Sequence, residues 1–148
     1  MDDAARPRFA EISTAFPTVP ESVAAARRFV AASLRRFDFS ETAVEQATLA
    51  TSELVANAFG EGRPPIRIRV RSIADGRASV EVHPGVDGDA TDPDASVADL
   101  RLTAASRTVV DSMATRWGAR PSGTGVVAWF EIEDPIRTEA AVAGSAST

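Results

Sequence analysis

Thr51–Gly60 reads TSELVANAFG, and this stretch decides how the rest of the chain is interpreted. It places a carboxylate, Glu53, and an amide, Asn57, four residues apart in a run that is typical of a helix. Residues at i and i+4 share one helix face, about one turn apart. Such a pair could activate a water molecule and hold a hard cation. The spacing fits two ordinary exposed polar residues equally well, so that alternative stays open.

The segment around this pair predicts a long helix over residues 40–58. Ser40 suits the N-cap position, and glycines and a Pro-Pro pair follow the end of the helix. Leu54, Val55 and Ala58 form an apolar stripe beside the Glu53/Asn57 face, so we expect this face to border a core.

An earlier segment, Pro20–Phe37, predicts a first helix. Its apolar residues recur at helical spacing: Val23, Ala26, Val30, Leu34 and Phe37. Four arginines lie largely off this stripe: Arg27, Arg28, Arg35 and Arg36. They are interpreted either as a solvated basic face or as a surface that binds a partner protein.

Alternating or apolar runs predict the strands of one sheet. They are Arg8–Phe16 at an edge, Ile66–Ser72, Ala78–His83 and Val126–Glu133. Asp75-Gly76 predicts a hairpin between the second and third of these. Arg67, Arg69 and Arg71 should form the solvent-facing side of that hairpin, with some capacity for an acidic partner.

The remaining segments complete the predicted domain. Residues 84–96 are expected to form a loop, 97–117 a third helix, and 121–125 a turn. Grouped helices and paired strands indicate an α+β fold, a two-layer α/β sandwich with a mostly antiparallel or mixed sheet and helices on one face. Its expected limits are a flexible start at 1–7, one domain over 8–134, and a disordered tail at 135–148.

Composition excludes several function classes. The chain of 148 residues has a net charge of -5, no Cys and one His, and all 16 of its basic residues are Arg. The absence of Lys excludes a Walker-type nucleotide site, and the absence of Cys excludes a thiolate metal site. The acidic balance argues against nucleic acid as a partner. With neither a long apolar run nor a signal-peptide pattern, we expect a cytoplasmic protein without membrane contact.

Five segments in order resemble the histidine-kinase-like ATPases, specifically the anti-sigma-factor serine-kinase branch abundant in actinobacteria. They read FPTVPESVAAARRFV, ELVANA, VEVHPG, VVDSMATRWG and VAWFEIE, and cover most of residues 16–133. The resemblance implies the Bergerat fold, with ATP and Mg²⁺ bound between helices and sheet under a mobile lid. It also implies that Glu53 is the general base and that Asn57 coordinates Mg²⁺.

The chain departs from that family at the positions that contact the nucleotide. Pro84 stands where the family has an Asp that recognises the adenine amino group, although Gly85 keeps the next glycine. Ala104, Ala105 and Ser106 stand where a Gly-Arg-Gly turn cradles the phosphates. Beta carbons there would crowd the approach that glycine permits.

Three functions follow as hypotheses. The first is a regulatory pseudo-kinase that binds a sigma factor or a sigma-factor antagonist and has lost or weakened its ATP binding. The second is an active ATP-Mg-dependent serine kinase that acts on such an antagonist. The third is an unrelated small α+β enzyme, which lacks a recognisable nucleophile or metal cluster. A homodimer is left open.

Overall fold

The computed structural model describes residues 10–60, 65–83, 100–122 and 125–137. These residues form five strands and three helices. The strands are β1 (Ala10–Phe16), β2 (Ile66–Ala74), β3 (Arg77–His83), β4 (Arg116–Ser122) and β5 (Gly125–Glu133). The helices are α1 (Glu21–Arg36), α2 (Glu41–Gly60) and α3 (Ala104–Met113). Within the described ranges, no helix is long and apolar enough to span a membrane.

The five strands form one sheet in the order β1-β2-β3-β5-β4, and every neighbouring pair is antiparallel. The predicted edge strand is confirmed as β1, and the predicted β2–β3 hairpin is confirmed around Asp75-Gly76. Gly76 has a positive φ of 75°, which glycine adopts without steric cost. The α+β two-layer architecture is therefore the one that the sequence predicts.

The core lies between the helices and one face of the sheet. The inner sheet face presents alternating residues that are almost fully buried: Ile66, Ile68, Val70, Ala78, Val80, Val82, Phe130 and Ile132. The predicted stripe of α1 packs there, with Ala26, Val30 and Leu34 at 0% exposure. Each large apolar side chain buried in this way contributes about 1.5–3 kcal/mol.

The joint between α1 and α2 is tied to the end of β5 by Asp134. This carboxylate is fully buried and accepts hydrogen bonds from the backbone N–H and the hydroxyl of Ser40, both at 2.7 Å, and from the N–H of Ile136 at 3.0 Å. Burial raises the pKa of Asp134, but the hydrogen bonds from Ser40 and from the backbone of Ile136 and Arg137 together outweigh it and lower the pKa below its usual value. Asp134 thus fixes the start of α2, the helix that carries Glu53.

A helix is present within the predicted range 97–117, but among the described residues it starts later and ends earlier than predicted. Residues 101–103 are not helical, α3 begins after Thr103, and Trp117 belongs to strand β4. Trp117 pairs with Phe130 of β5, and both face the helical layer. Trp117 follows Met113 of α3 by four residues, which is helical spacing. The spacing is a coincidence, because a helix residue and a strand residue here face the same core.

The described residues include three that follow the predicted domain limit at residue 134. Residues 135–137 form one helical turn, and Arg137 lies with its guanidinium 5.9 Å from the ring centre of Phe39. The same guanidinium hydrogen-bonds to Asp75 in the β2–β3 hairpin. The remainder of the predicted tail, 138–148, and the predicted flexible start, 1–7, lie outside the described residues.

Candidate functional site

The structure places Glu53 and Asn57 on α2, one turn apart, as the sequence predicts. Both side chains are half-buried, whereas their neighbours Leu54 and Val55 are fully buried against the sheet. Helix α2 begins after Ser40, whose hydroxyl accepts a hydrogen bond from the N–H of Ala43 at 3.3 Å. The Glu53/Asn57 face therefore borders the core and does not lie in open solvent.

Glu53 is engaged by a residue from another helix. The hydroxyl of Ser106 in α3 donates a hydrogen bond to Oε1 of Glu53 at 2.6 Å. This distance is typical of an O–H group that donates to a carboxylate, a bond stronger than one between neutral groups. The hydroxyl thus joins α3 to the helix that carries the candidate base.

The first turn of α3 is fixed by its own cap. Thr103 is the N-cap, and its side chain accepts a hydrogen bond from the N–H of Ser106 at 3.0 Å. Ser106 is therefore held twice, through its backbone by Thr103 and through its side chain by Glu53. The sequence indicated that Ser106 departs from the family pattern, but it did not indicate the partner of the hydroxyl.

Trp117 provides a second set of contacts to α3. The guanidinium of Arg107 lies 5.9 Å from the centre of the Trp117 ring, within cation–π range. The indole N–H of Trp117 donates a hydrogen bond to Asp111, one turn along the same helix. Strand β4 thereby holds α3 through contacts that are separate from the Glu53–Ser106 bond.

The residues present do not fit the phosphate cradle that the family resemblance assigns to this turn. The first turn of α3 carries a side chain at each of the three positions, Ala104, Ala105 and Ser106. The hydroxyl of Ser106 is already hydrogen-bonded to Glu53. Glycine is the residue that lets a backbone come close to a phosphate. In the part of the chain that the structure describes, no group of three or more acidic or His side chains could hold a metal ion. Pro84 and Gly85 lie outside the described residues.

The four arginines of α1 are all exposed, as predicted. Arg35 forms a two-pronged ion pair with Glu41, at 2.7 and 2.9 Å. The hydrogen bond and the charge of Glu41 raise the pKa of Arg35. Across the described ranges, no carboxylate lies within 4.0 Å of the guanidinium groups of Arg27, Arg28 and Arg36.

A shallow groove of about 550 Å³ lies between α1 and α2 on this basic side. Its lining residues are Ala24, Arg27, Arg28, Ala31, Arg35 and Thr48. It does not include Glu53 or Asn57, so it is separate from the Glu53–Ser106 contact. The structure therefore brings three of the four α1 arginines to one concave surface.

The outer face of the sheet carries the second set of predicted arginines, and two of them are engaged by acids. Arg69 and Arg71 both lie near Glu11, at 3.5 and 3.6 Å. Arg69 also lies 3.6 Å from Glu81, which is only 4% exposed although it points away from the core. This face is therefore less available to an acidic partner than the α1 face.

Glu81 lies at the centre of a charged cluster on that outer face. His83 donates to it at 2.9 Å, and Arg120 lies 3.0 Å from its other oxygen. The hydrogen bond from His83 lowers the pKa of Glu81 to about 2; burial opposes the shift, and Arg120 adds to it. The sequence predicted a solvent-exposed sheet surface here and did not predict the charged cluster.

Glu81 should stabilise the fold in a pH-dependent way. Its pKa falls from the usual 4.5 to about 2 on folding, so its contribution is present above pH 4.5 and is lost as the pH falls toward 2. We expect Glu81→Gln to lower the free energy of unfolding at pH 7 by roughly 2–3 kcal/mol. Urea unfolding at a series of pH values measures this. The difference in the free energy of unfolding between the variant and the wild-type protein should shrink steadily as the pH falls from 4.5 toward 2.

Glu133→Gln provides the matched control, because Glu133 lies on the same outer face and is exposed. Burial raises the pKa of Glu131, but Arg116 and Arg77 outweigh it and lower the pKa, so the wild-type protein loses stability in acid at that site too. The contribution of Glu81 is therefore obtained by comparing the free energies of unfolding of Glu81→Gln and Glu133→Gln at each pH. A difference that stays constant down to pH 3 would contradict this account.

The comparisons with known proteins agree with this fold. A family model described as "Histidine kinase-like ATPase domain" matches residues 16–127. No curated protein sequence matches the chain. Among solved structures, the chain is similar to the RsbU and RsbW domains of Rv1364c from Mycobacterium tuberculosis, with 13% identity and a TM-score of 0.59. The match covers 85% of this chain and 33% of that one, so the chain spans a third of the length of this neighbour.

The family match covers three quarters of the chain and includes α1, α2, the β2–β3 hairpin, α3, β4 and the start of β5. The structural neighbour independently supports the same fold. On these grounds the chain belongs to the histidine kinase-like ATPase domain family.

Proposed function

We propose that this domain is a regulatory protein-binding module of the anti-sigma-factor type in which ATP binding is lost or much weakened. The observation that carries the proposal is the Glu53–Ser106 hydrogen bond at 2.6 Å. It engages the candidate base at the turn where the resemblance assigns a nucleotide phosphate. The partner would be a sigma factor or a sigma-factor antagonist, in line with the resemblance and with a structural neighbour that includes an RsbW domain.

The alternative is an active ATP-Mg-dependent serine kinase that acts on such an antagonist. It is favoured by the presence of both Glu53 and Asn57 in the geometry that the resemblance requires, on one face of α2. In that case Glu53 would accept the proton of the substrate hydroxyl, and Asn57 would help to hold Mg²⁺. Gly85 would be a further contact of the nucleotide.

Titration with ATP-Mg separates the two. A buried amino group left without its carboxylate acceptor costs about 1–3 kcal/mol, and the missing glycines add a steric cost. Because about 1.4 kcal/mol is a factor of ten, these losses would move a micromolar ligand toward the millimolar range. We expect calorimetry to show a Kd of about 1 mM or weaker. A low-micromolar Kd would contradict the loss of ATP binding and favour the kinase alternative.

The basic face of α1 is the proposed docking surface for the partner. Arginine pairs well with carboxylates because it is always charged and can bind them through two N–H groups. Arg27, Arg28 and Arg35 line one groove, and Arg36 extends the charge to the end of α1. The proposed partner therefore presents an acidic surface to α1.

Replacing Arg27, Arg28, Arg35 and Arg36 with Gln should remove partner binding while leaving Tm nearly unchanged. Exposed arginines on a helix surface contribute little to folding. Co-purification of a sigma factor or antagonist from an extract of the source cells measures the first effect, and thermal unfolding measures the second.

The matched control replaces Arg67 and Arg71 on the outer sheet face with Gln. This variant removes two exposed or half-exposed arginines from a surface that is not proposed to bind. If it loses the partner while the α1 variant retains it at full yield, the docking surface lies on the sheet.

A further inference from the structure

We propose that Ser106 is a built-in latch, whose hydrogen bond to Glu53 holds α3 against α2. This inference rests on the proposed function, because Glu53 is free to serve as the acceptor of this bond only where it is not needed as the base of a kinase reaction. Ser106 is a positioning residue in this role and has no part in a reaction. The domain would then present one fixed arrangement of α2 and α3 to its partner at all times.

The direction of the Ser106 hydroxyl sets it apart from neighbouring hydroxyls. Within the same helix, Thr108 donates to the carbonyl of Ala104 and Ser112 donates to that of Thr108. Hydroxyls inside a helix commonly bond in this way to a carbonyl of the preceding turn. The Ser106 hydroxyl instead crosses to a carboxylate that is 53 residues distant in the chain. The Ser106 hydroxyl therefore makes a tertiary contact between two helices.

The surroundings strengthen that contact. Glu53 and Ser106 are both half-buried, and partial exclusion of water strengthens a hydrogen bond to a carboxylate. The backbone N–H of Ser106 is bound at the same time by Thr103. The residue therefore has little freedom to rotate away from Glu53, and any group that approaches the bonded oxygen must displace its hydroxyl.

Helix α3 is also held by Trp117 of strand β4, independently of any ligand. Arg107 and Asp111 contact the ring and the N–H of Trp117, which is fixed in strand β4. Met113 and Trp117 both pack against the core cluster. Through Ser106 on the one hand and Arg107 and Asp111 on the other, α3 is attached by its own side chains to both α2 and the sheet.

Residue-resolved amide hydrogen exchange tests the latch in the full chain. We expect Ser106→Ala to accelerate exchange at Arg107 through Val110 by roughly tenfold, because local opening of α3 no longer breaks the bond to Glu53. Ser112→Ala is the matched control, since it removes a hydroxyl from the same helix that bonds only within that helix. It should leave exchange in α3 within about twofold of the wild-type protein.

Glu53→Ala, which removes the acceptor of the hydroxyl, and the double variant complete the experiment. If the two side chains act through one bond, adding Ser106→Ala to Glu53→Ala should accelerate exchange no further than the faster single variant. Exchange in α3 that is unchanged by Ser106→Ala, or effects of the two substitutions that simply multiply, would overturn the latch.

ATP-Mg titration of the same wild-type sample keeps the two proposals distinguishable. Weak or absent binding together with unchanged exchange in Ser106→Ala overturns the latch and leaves the proposed function standing. Low-micromolar binding overturns the proposed function and, with it, the need for a latch. Weak binding together with accelerated exchange supports both.

Discussion

Asp134→Ala should lower the free energy of unfolding by about 3–5 kcal/mol, the largest loss we expect from any single side chain outside the apolar core. Asp134 is fully buried and accepts hydrogen bonds from Ser40 and Ile136. Alanine would remove the charged acceptor of three hydrogen bonds, two from Ser40 and one from the N–H of Ile136, and a hydrogen bond to a charged group contributes roughly 1.5–3 kcal/mol. In a domain of this size, the loss should lower Tm by roughly 10–20 °C.

Two further variants identify the cause of that loss. Asp134→Asn preserves the shape and one carbonyl acceptor, so it should cost less than the alanine variant. Glu45→Ala, on the exposed face of α2, should leave Tm nearly unchanged. A Tm of Asp134→Ala within about 3 °C of the wild-type value would mean that Asp134 does not fix the start of α2.

The elements with strong local patterns were predictable from the sequence. In α1 the apolar residues recur at helical spacing over four turns, and in β2 they alternate with arginines. Both patterns match the burial in the structure because each element buries a single face against one core. The Asp-Gly pair likewise predicted the hairpin, since its turn requires a residue with positive φ at Gly76.

Strand β4 could not be predicted in the same way. Its inward residue Trp117 continues the apolar spacing of α3, while Gly118 and Pro121 obscure the alternation that marks a strand. Gly118 is required there by packing, because a beta carbon at this position would lie 2.9 Å from the Trp129 ring. The constraint comes from a neighbouring strand and is not visible in the local sequence.

The contacts that define the site join residues far apart in the chain. Ser40 meets Asp134 across 94 residues, and Glu53 meets Ser106 across 53. Single-sequence patterns indicate which face of an element is apolar, but they do not say which polar side chains on different elements will meet. The sequence therefore predicted the positions of Glu53 and Ser106 without predicting the bond between them.

The second large effect is an expected gain of ATP binding. The triple variant Pro84→Asp, Ala104→Gly and Ser106→Gly should bind ATP-Mg at least about tenfold more tightly than the wild-type protein, equivalent to about 1.4 kcal/mol. The aspartate would supply the acceptor that the resemblance assigns to the adenine amino group. The two glycines would remove beta carbons from the first turn of α3, and loss of the Ser106 hydroxyl would release Glu53.

Calorimetry with ATP-Mg measures the gain, and a control carrying glycine elsewhere in α3 isolates its cause. Thr108→Gly with Ser112→Gly introduces the same number of glycines into the same helix, at exposed positions beyond its first turn. Each glycine in a helix interior costs up to about 1 kcal/mol, so both variants should lose some stability. The control should nevertheless bind ATP no better than the wild-type protein.

The components of the triple variant should contribute unequally. Ser106→Gly alone frees Glu53 but leaves Pro84 without a carboxylate, so it should improve affinity less than the full set. Pro84→Asp alone supplies the acceptor while the beta carbon of Ala104 still crowds the phosphates. If the complete triple variant binds no better than the wild-type protein, residues 84 and 104–106 do not correspond to the family's nucleotide contacts. The weakness of ATP binding would then need a different explanation, in residues that the resemblance does not single out.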